Sequence, residues 1–533
     1  MKLKLLFALL FAIVSNAQTQ IGQDIVGDMP DDKFGHGVAL SADGNVMAVS
    51  APGNDNNGTD AGHIRVYSKT SGTWTQIGQD IEGPNPDDQI GYKIALSDDG
   101  SVLAFSAPYS ATNYTPSNGW PIVLKGFISI FKNVNGTWTQ IGQDIKQDTT
   151  WVLDYYFGLA ISLSGDGSTI AISNPDSHPN NPQIQIFKNI SNSWTKIGEF
   201  EAANFFDEIP SNSFGNAFGF NVSLSFDGSI VAFSDIGEYN KNGGKNGFVV
   251  VYKYQLGNWV KVGNTLFGNS NKDYFGIRVA LSKDGSVLAI AANKSDINGT
   301  DSGKVEVYKI NGNSWFQIGN DILGEAVGDL CGFGLAMSAN GNALAVGCVG
   351  CDTANGSDTG KVRIFENIQN NWVEKGSVIG ANAGDGIGWS IALSKDGYNL
   401  VVGNPGSSSV GGKLYTTNFE EQTVSDNLFQ ANNYQAKGTF PGSVQVFNLS
   451  GILSSDSFVL ENFNIYPNPT TDIINIELKE NLMLEKVLIY NTSGQLVKET
   501  AENKINVSGF AKGIYNVQVL TNQGKATKKV IVK

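Results

Sequence analysis

The stretch FGHGVALSADG, at Phe34–Gly44, decides the fold because the chain repeats this phrase in register seven times. Each copy has Phe, Ile or Cys before Gly, then an apolar stretch, then Ser-x-Asp-Gly or Ser-x-Asn-Gly. The copies begin at residues 34, 90, 157, 218, 275, 331 and 387, and we number the corresponding units 1 to 7. Such self-similarity at intervals of 56 to 67 residues indicates a repeat architecture.

Each unit is predicted to contain four short strands. In unit 1, HGVALS is the first strand, ADGN a tight turn, and VMAVSAP an apolar strand typical of one covered on both faces. HIRVYSK and WTQIGQDI follow as the third and fourth strands. Seven four-stranded antiparallel sheets predict an all-β fold and a seven-bladed β-propeller, since a linear solenoid would need polar caps that we do not find.

The fragment TQIGQDI stands alone at Thr19–Ile25, with no unit before it. The same phrase ends units 1 and 2, where Trp74 and Trp138 directly precede it at the start of the fourth strand. Unit 7 has a third strand, GSVQVFNL at Gly442–Leu449, but lacks a Trp-bearing fourth strand. We therefore predict that the N-terminal strand completes unit 7 and closes the propeller, which removes open sheet edges.

The units resemble FG-GAP repeats, the blades of the integrin-α-type seven-bladed propeller. The Phe-Gly pair occurs in four units, and Ala-Pro follows at Ala51–Pro52 and Ala107–Pro108. The resemblance covers roughly residues 18–450. It implies a recognition platform in which some blades hold calcium in an acidic loop.

The first 17 residues, MKLKLLFALLFAIVSNA, predict a secretory signal peptide because two Lys precede a short apolar run and small residues. No later apolar run is long enough to predict a membrane helix. The net charge of −14 argues against nucleic-acid binding, which depends on Lys and Arg.

A separate module is predicted at residues 462–533, after a linker at 451–461. It carries nine Lys against six Asp plus Glu in an otherwise acidic chain, and its alternating strands predict a small β-sandwich. The phrases YPNPTTD, IYNTSGQLV and GIYNVQV…KKVIVK resemble the C-terminal sorting domain of the type IX secretion system of Bacteroidetes. That resemblance implies that the chain interacts with this machinery and is either released or displayed at the outer-membrane surface of a Gram-negative cell.

Three similar loops between second and third strands, NGTDAG, NGTDSG and NGSDTG, suggest calcium sites, because oxygen ligands at alternating positions suit calcium. The turn chemistry of Asn-Gly followed by Asp explains the same loops without a metal. The candidate ligands are Asp55, Asn57, Asp60, Asp296, Asn298, Asp301, Asp352, Asn355 and Asp358.

Insertions that break the repeat are candidate binding loops, and they are rich in aromatic residues. Aromatic side chains with Asn and Asp can stack on a glycan or grip a protein. The candidate ligand-binding residues are Tyr114, Trp120, Trp151, Tyr155 and Tyr434, and Phe205 also looks exposed.

The remaining polar and sulfur-bearing residues favour structural roles. The recurring acids of the phrase, such as Asp43 and its unit 6 counterpart Asn340, are typical of hairpin turns. Cys331 is predicted to pair with either Cys348 or Cys351 in an exported protein. The three His residues show no metal-ligand spacing.

These patterns favour a secreted or cell-surface protein that binds a glycan or protein through propeller loops, without catalysis and with no cofactor other than calcium. The alternatives are a polysaccharide-acting enzyme, such as a glycosidase or lyase, and a structural surface component. A glycosidase would need two facing carboxylates, whereas the recurring acids are turn-like.

Overall fold

The structure, a computed structural model, describes residues 18–110, 126–146, 154–155, 157–177, 183–205, 218–237, 246–270, 272–406, 441–450, 452–453, 462–479, 482–491, 495–521 and 524–533. The chain divides into two compact units, one of Gln20–Asn448 and one that includes Leu449–Lys533. We call them the repeat region and the C-terminal region. The described residues are all-β, apart from two short 3-10 helices at Pro30–Asp32 and Ala202–Phe205.

Every unit of the repeat region contributes one antiparallel sheet in which neighbours in sequence are neighbours in the sheet. The first strands are Gly37–Leu40, Ile94–Leu96, Ile161–Leu163, Phe218–Leu224, Arg278–Leu281, Cys331–Met337 and Ser390–Leu393. The second strands are Val46–Ala51, Val102–Ala107, Thr169–Asn174, Ile230–Asp235, Val287–Ala292, Ala343–Cys348 and Asn399–Asn404.

The outer strands complete these sheets. The third strands are His63–Thr70, Phe127–Val134, Gln183–Ile190, Phe248–Gln255, Lys304–Asn311, Lys361–Ile368 and Ser443–Asn448. The fourth strands of units 1 to 6 are Thr73–Gln76, Thr137–Gln140, Ser193–Glu201, Asn258–Lys261, Ser314–Gln317 and Asn371–Ile379. An additional two-stranded sheet pairs Asp154–Tyr155 with Asp176–Ser177.

The fourth strand is interrupted in four units, whereas the sequence predicted a continuous strand. In unit 1 the chain leaves the sheet after Gln76 and pairs again with the third strand at Ile81–Glu82. Gly78, at a φ of +78°, lies in the interruption, and this left-handed conformation favours Gly. The equivalent short strands are Ile145–Lys146, Leu266–Phe267 and Ile322–Leu323.

The N-terminal fragment pairs with the third strand of unit 7. Two short strands, Thr19–Gln20 and Ile25–Val26, lie beside Ser443–Asn448, with Ile25 opposite Val444. The backbone N–H of Ile21 donates to the carbonyl of Val446 at 2.7 Å. The fragment therefore has the same interrupted form as the fourth strand of unit 1.

The Ser-x-Asp-Gly turns have the structural role that their chemistry predicts. In unit 1, Ser41 Oγ donates to Asp43 Oδ1 at 2.6 Å, and the N–H of Asn45 donates to the same oxygen at 3.0 Å. In unit 6, Asn340 Oδ1 accepts the equivalent bonds from Ser338 Oγ and the N–H of Asn342. Because an amide replaces the carboxylate without changing the turn, the predicted turn role is confirmed.

The x residues of these turns form a circuit of backbone hydrogen bonds, which we call the turn circuit. The N–H of Ala42 donates to the carbonyl of Asp98 at 2.8 Å, and each following x residue donates to the next. The last bond runs from the N–H of Lys395 back to the carbonyl of Ala42 at 2.8 Å. The members in order are Ala42, Asp98, Gly165, Phe226, Lys283, Ala339 and Lys395.

Adjacent sheets pack through the second strands and the recurring Trp residues. The second strands are almost fully buried, and burial of each Val, Ile or Leu side chain contributes about 1.5–3 kcal/mol. Trp138 Nε1 donates to the carbonyl of Ile77 in the preceding unit at 3.0 Å. Trp74 donates in the same way to Ile21 of the N-terminal fragment at 3.3 Å. The Trp138 ring is 2% exposed and so forms part of the core between neighbouring sheets.

The C-terminal region consists of two antiparallel sheets that contribute to one hydrophobic core. Its buried side chains include Phe463, Ile476, Val487 and Val519. One sheet orders the strands Phe463–Tyr466, Ile473–Leu478 and Lys504–Asn506. The other orders Leu496–Thr500, Leu484–Tyr490, Gly513–Thr521 and Gly524–Val532. In the part of the chain that the structure describes, no helix is long and apolar enough to cross a membrane.

Candidate functional site at the axis of the repeat region

The first strands of the seven units surround a common axis. Each first strand contacts the first strand of the next unit, and the first strand of unit 7 contacts that of unit 1. The turn circuit lies at the C-terminal end of these strands. At their N-terminal end lies the third residue of each phrase, and we call these seven residues the axial set. They are His36, Tyr92, Leu159, Phe220, Ile277, Phe333 and Trp389.

The axial set is a layer of contacting rings and aliphatic side chains. The His36 ring centroid lies 5.2 Å from that of Tyr92 and 5.8 Å from that of Trp389. The rings of Trp389 and Phe333 are 4.7 Å apart. Tyr92 also packs with Leu159 in a small apolar cluster. His36, Phe333 and Trp389 are partly exposed, so solvent reaches this layer.

Two cations stand within this layer, and we call Lys93 and Arg278 the axial cations. Lys93 Nζ lies 5.2 Å from the Tyr92 ring centroid, and Arg278 Cζ lies 5.6 Å from that of Phe333. Both distances allow cation–π attraction. Arg278 Nη1 donates to the carbonyl of Ile277 at 2.9 Å. The equivalent positions of the other units hold Gly37, Ala160, Asn221, Gly334 and Ser390.

The surroundings of the axial cations disfavour positive charge. Burial, reinforced by the nearby charge of Arg278, lowers the pKa of Lys93 to about 7. Burial also lowers the pKa of Arg278. His36 has a pKa well below its ordinary value, first because it is desolvated and then because Lys93, Lys33 and Arg278 repel the imidazolium. Its Nδ1 is buried without a hydrogen-bond partner among the described residues.

No carboxylate of the described residues forms an ion pair with either axial cation or perturbs its pKa. The other end of the axis differs in this respect. There Lys283 Nζ binds Asp98 Oδ1 at 2.7 Å, which joins units 5 and 2 across the turn circuit. Among the described residues, the N-terminal end of the first strands therefore holds two basic side chains without an ion-paired carboxylate, beside aromatic rings, and this combination suits an anionic ligand with a flat apolar face.

The three predicted calcium loops connect neighbouring units. Asp55 Oδ1 accepts a bond from the N–H of Asp60 at 2.8 Å, and Asn57 Nδ2 donates at 2.7 Å to the carbonyl of Gly83, ahead of unit 2. Each loop therefore closes on itself and holds the segment that leads into the next unit.

The other two loops repeat this arrangement. Asp296 accepts from the N–H of Asp301 and Asn298 donates to Gly324, while Asp352 accepts from the N–H of Asp358 and Asn355 donates to Gly380. Among the described residues, none of these loops brings together three Asp, Glu, His or Cys side chains at metal-ligand distance. Calcium binding stays a prediction.

The predicted ligand-binding aromatics are not part of the axial set. Tyr114, Trp120, Trp151 and Tyr434 lie outside the described residues. Tyr155 lies in the two-stranded sheet, paired with Asp176. The expectation that Phe205 is exposed is wrong, because its ring is 3% exposed and packs on Phe218 and Phe233.

The structure pairs Cys331 with Cys348 and leaves Cys351 as a buried free thiol. Cys331 and Cys348 lie opposite each other on the first and second strands of unit 6. The sulfur atoms of all three Cys residues lie within 4.8 Å of one another. Burial raises the pKa of the Cys351 thiol, so Cys351 is a poor nucleophile at neutral pH.

Neither the axial set nor the axial cations were predicted from the sequence. A signal was nevertheless present. Within a phrase that repeats closely, the third residue ranges from Leu159 to Trp389 and the fourth from Gly37 to Arg278. Variation at fixed positions inside a constant repeat marks residues that the fold does not dictate.

Comparison with known families supports both resemblances. Residues 464–533 match the family described as secretion system C-terminal sorting domain. Residues 28–67 match the FG-GAP repeat family. Both predicted resemblances are confirmed. The sorting domain indicates a secreted or outer-membrane surface protein of Bacteroidetes and implies an interaction with the type IX secretion machinery.

Curated relatives match short stretches of the chain. Ulvan lyase NLR42 of Nonlabens ulvanivorans is 38% identical over 88 residues, which are 16% of this chain and 16% of that protein. β-Agarases D and A of Zobellia galactanivorans are 34% and 33% identical over 14% and 17% of this chain, and over 15% and 16% of their own lengths. The chain thus spans about a sixth of the length of these relatives.

Solved structures give matches of low identity. Hydrazine synthase of Kuenenia stuttgartiensis is 14% identical, with a TM-score of 0.44, over 72% of this chain and 94% of that chain. A protein from Lactobacillus plantarum is 11% identical, with a TM-score of 0.39, over 65% of this chain and 84% of that chain.

Proposed function

We propose that the chain is an exported, seven-bladed β-propeller that binds an extracellular glycan or protein without transforming it. The seven antiparallel sheets, the cyclic contacts of their first strands and the turn circuit support this architecture. The pairing of Ile25 with Val444 supports closure by the N-terminal strand. The proposed boundaries are 1–17 for a signal peptide, 18–450 for the propeller, 451–461 for a linker and 462–533 for the sorting domain.

The observation that carries the binding function is the axial set with its two cations. Partly exposed rings from different units, among them His36, Phe333 and Trp389, meet at one end of the axis, beside Lys93 and Arg278. Ligand sites commonly combine such apolar and aromatic surfaces with a few charged groups. A glycosidase would need two carboxylates flanking the bond, and neither the third nor the fourth position of the seven phrases holds Asp or Glu.

A glycan and protein array, probed with the mature chain, tests this proposal. We expect binding to one ligand class, and loss of that binding when Trp389 is replaced by Ala. Trp74→Phe serves as a control, since Trp74 packs between sheets rather than in the axial set. If no ligand on the array binds, or if Trp389→Ala binds like the wild type, the binding function at this site is wrong and a structural surface role takes its place.

A polysaccharide lyase is the second candidate, and the position of His36 favours it. Its imidazole, a side chain of the type that most often acts as a general base, contacts Tyr92 near both axial cations. In β-elimination from a uronate, a base removes the proton at C5, the bond from C4 to the glycosidic oxygen breaks, and that oxygen is protonated as it leaves. Lys93 and Arg278 would neutralise the carboxylate of the uronate. A relative named ulvan lyase is consistent with this chemistry.

The lyase candidate is tested by the ultraviolet absorbance of the double bond that elimination creates. The binding proposal expects no rise in absorbance when the mature chain is incubated with hyaluronan or alginate. A rise in absorbance with the wild type that is absent with His36→Gln would contradict the binding proposal and support the lyase.

A further inference from the structure

We infer that the axial site accepts an acidic sugar unit, with its carboxylate or sulfate bound by Lys93 and Arg278. This inference rests on the proposed binding function and names its ligand class. The two cations come from units 2 and 5, which are not neighbours in the ring of sheets. They approach the same layer from different sides, one over Tyr92 and the other over Phe333.

The first step of the argument is the charge balance at the axis. The chain has a net charge of −14, so two basic side chains with no ion-paired carboxylate among the described residues are not what its overall charge leads us to expect. Two other basic side chains of the repeat region with little exposure are paired with carboxylates: Arg65 with Asp28 and Asp80, and Lys304 with Glu306. A desolvated cation without a counter-charge is costly, and a bound anion would offset that cost.

The second step is the hydrogen-bonding capacity that remains. A guanidinium has five N–H donors, and the described partner of the Arg278 side chain is the carbonyl of Ile277. The described contact of Lys93 Nζ is the face of Tyr92. These remaining donors match the oxygen atoms of a carboxylate or a sulfate, which bind Arg and Lys by charge-assisted hydrogen bonds.

The third step distinguishes an acidic sugar from a small free anion. His36, Trp389 and Phe333 present rings beside the cations, and these rings are partly exposed. A free sulfate gains nothing from an aromatic face, whereas the C–H face of a sugar packs on such a ring. The favoured ligand is therefore a saccharide that carries the anion, and an acidic peptide is the competing outcome.

Titration calorimetry of the mature chain tests the inference with five probes: hyaluronan hexasaccharide, chondroitin sulfate hexasaccharide, neutral cellohexaose, sodium sulfate and a polyglutamate peptide. We expect one or both acidic hexasaccharides to bind, with an affinity that falls as salt is added, and cellohexaose to bind at least about tenfold more weakly. Hyaluronan carries carboxylates alone, so the two acidic probes also separate carboxylate from sulfate recognition.

Lys93→Ala and Arg278→Ala link binding to the axial cations. Alanine occupies this position naturally at Ala160, so the fold tolerates it. Each variant should weaken binding roughly ten- to hundredfold, the effect of losing one charge-assisted hydrogen bond. Lys188→Ala removes the same charge from an exposed strand position and should bind like the wild type.

The remaining outcomes separate this inference from the proposed function. The acidic-sugar site is wrong if cellohexaose binds as tightly as the acidic hexasaccharides. It is also wrong if both variants bind the acidic hexasaccharides like the wild type. Either result leaves the proposed binding function intact. Binding of sodium sulfate alone, or of polyglutamate alone, likewise overturns the acidic-sugar site. If neither hexasaccharide binds while the array identifies another ligand, the ligand class is wrong. If the array identifies none, the binding function fails as well.

Discussion

The indole N–H of Trp74 donates a hydrogen bond to the carbonyl of Ile21 at 3.3 Å, and so joins unit 1 to the N-terminal fragment. Trp138 makes the same bond to Ile77 within the continuous run of units. The N-terminal fragment thus accepts the same bond as the fourth strands of units 1 to 5.

Deletion of residues 18–26 should destabilise the repeat region at unit 7 first. Burial of Ile25 alone is worth about 1.5–3 kcal/mol, and the backbone bonds to Ser443–Asn448 are lost with it. We expect a lower melting temperature and faster amide exchange in Ser443–Asn448 than in Val287–Ala292. An unchanged melting temperature would contradict the pairing.

Trp74→Phe removes the indole N–H together with the five-membered ring, and Trp138→Phe removes the same atoms from an equivalent buried position, so the two variants form a matched pair. In the full chain, Trp74→Phe and Trp138→Phe should each cost about 2–4 kcal/mol in the free energy of unfolding, because each loses a hydrogen bond and buried ring atoms. In the deletion background, Trp74→Phe should cost at least about 1 kcal/mol less than in the full chain, because the carbonyl of Ile21 is absent, while Trp138→Phe keeps its cost. Urea denaturation measures both, and equal costs in the two backgrounds would disprove the coupling.

His63 should make the chain sensitive to acid. It is fully buried, neither ring nitrogen has a partner among the described residues, and burial lowers its pKa to about 4. A folded-state pKa below the ordinary value of 6.5 means that this stability is complete above pH 6.5 and is lost as the pH falls towards 4. The loss should approach about 3 kcal/mol at the acid end.

His63→Phe is the matched variant, because Phe127 and Phe248 occupy the same position in units 2 and 4. It should have a shallower fall in the free energy of unfolding between pH 7 and pH 4.5, measured by urea denaturation. Parallel pH profiles for the two proteins would show that His63 does not titrate with unfolding.

Removing one partner of the buried ion pair of Lys304 and Glu306 should strongly lower the free energy of unfolding. Replacing both partners by apolar residues should lower it only slightly. Lys304 Nζ donates to Glu306 Oε1 at 2.6 Å, and both side chains are at most 5% exposed. Glu306→Val leaves a buried unpaired ammonium and should cost about 3–5 kcal/mol.

Unit 4 shows the apolar alternative, with Phe248 and Val250 at the same two positions. The double variant Lys304→Phe with Glu306→Val should therefore recover to within about 1 kcal/mol of the wild type in thermal or urea unfolding. A double variant no more stable than Glu306→Val alone would show that the pair is required for another reason.

Asn298 separates the structural role of its loop from calcium binding. Asn298→Ala removes the bond to the carbonyl of Gly324 and should cost about 1 kcal/mol in the free energy of unfolding. The calcium prediction expects, in addition, a lower melting temperature of the wild type in excess EDTA than in calcium chloride. Identical melting temperatures in the two buffers would contradict the calcium prediction. The loops would then serve only to connect neighbouring units.

The repeat was predictable from the sequence because one phrase sets each turn and each first strand. Ser41 and Asp43 determine local hydrogen bonds that depend on residues only a few positions away. The N-terminal fragment was informative for the same reason, since its match to the end of unit 1 indicated a missing strand.

The axial site was not predicted, because it is assembled from residues that are distant in sequence. Lys93 and Arg278 become neighbours only when the first strands surround the axis. The aromatic residues singled out from the sequence were in insertions, and Phe205 turned out to be buried against its own unit. Sequence position alone does not distinguish a ring that fills a core from a ring that solvent can reach.

The pairing of Ile25 with Val444 also determines the order of events during biosynthesis. The first and last strands of this sheet emerge from the ribosome at opposite ends of the synthesis of the repeat region, so the sheet is the last of the seven that can form. Until then the chain has exposed strand edges, the kind of surface on which chaperones act and aggregation begins. The time between synthesis of the first and last strands of this sheet grows with every residue between them. A longer insertion in any unit therefore lengthens the time during which strand edges are exposed, even though it does not change the sheet itself.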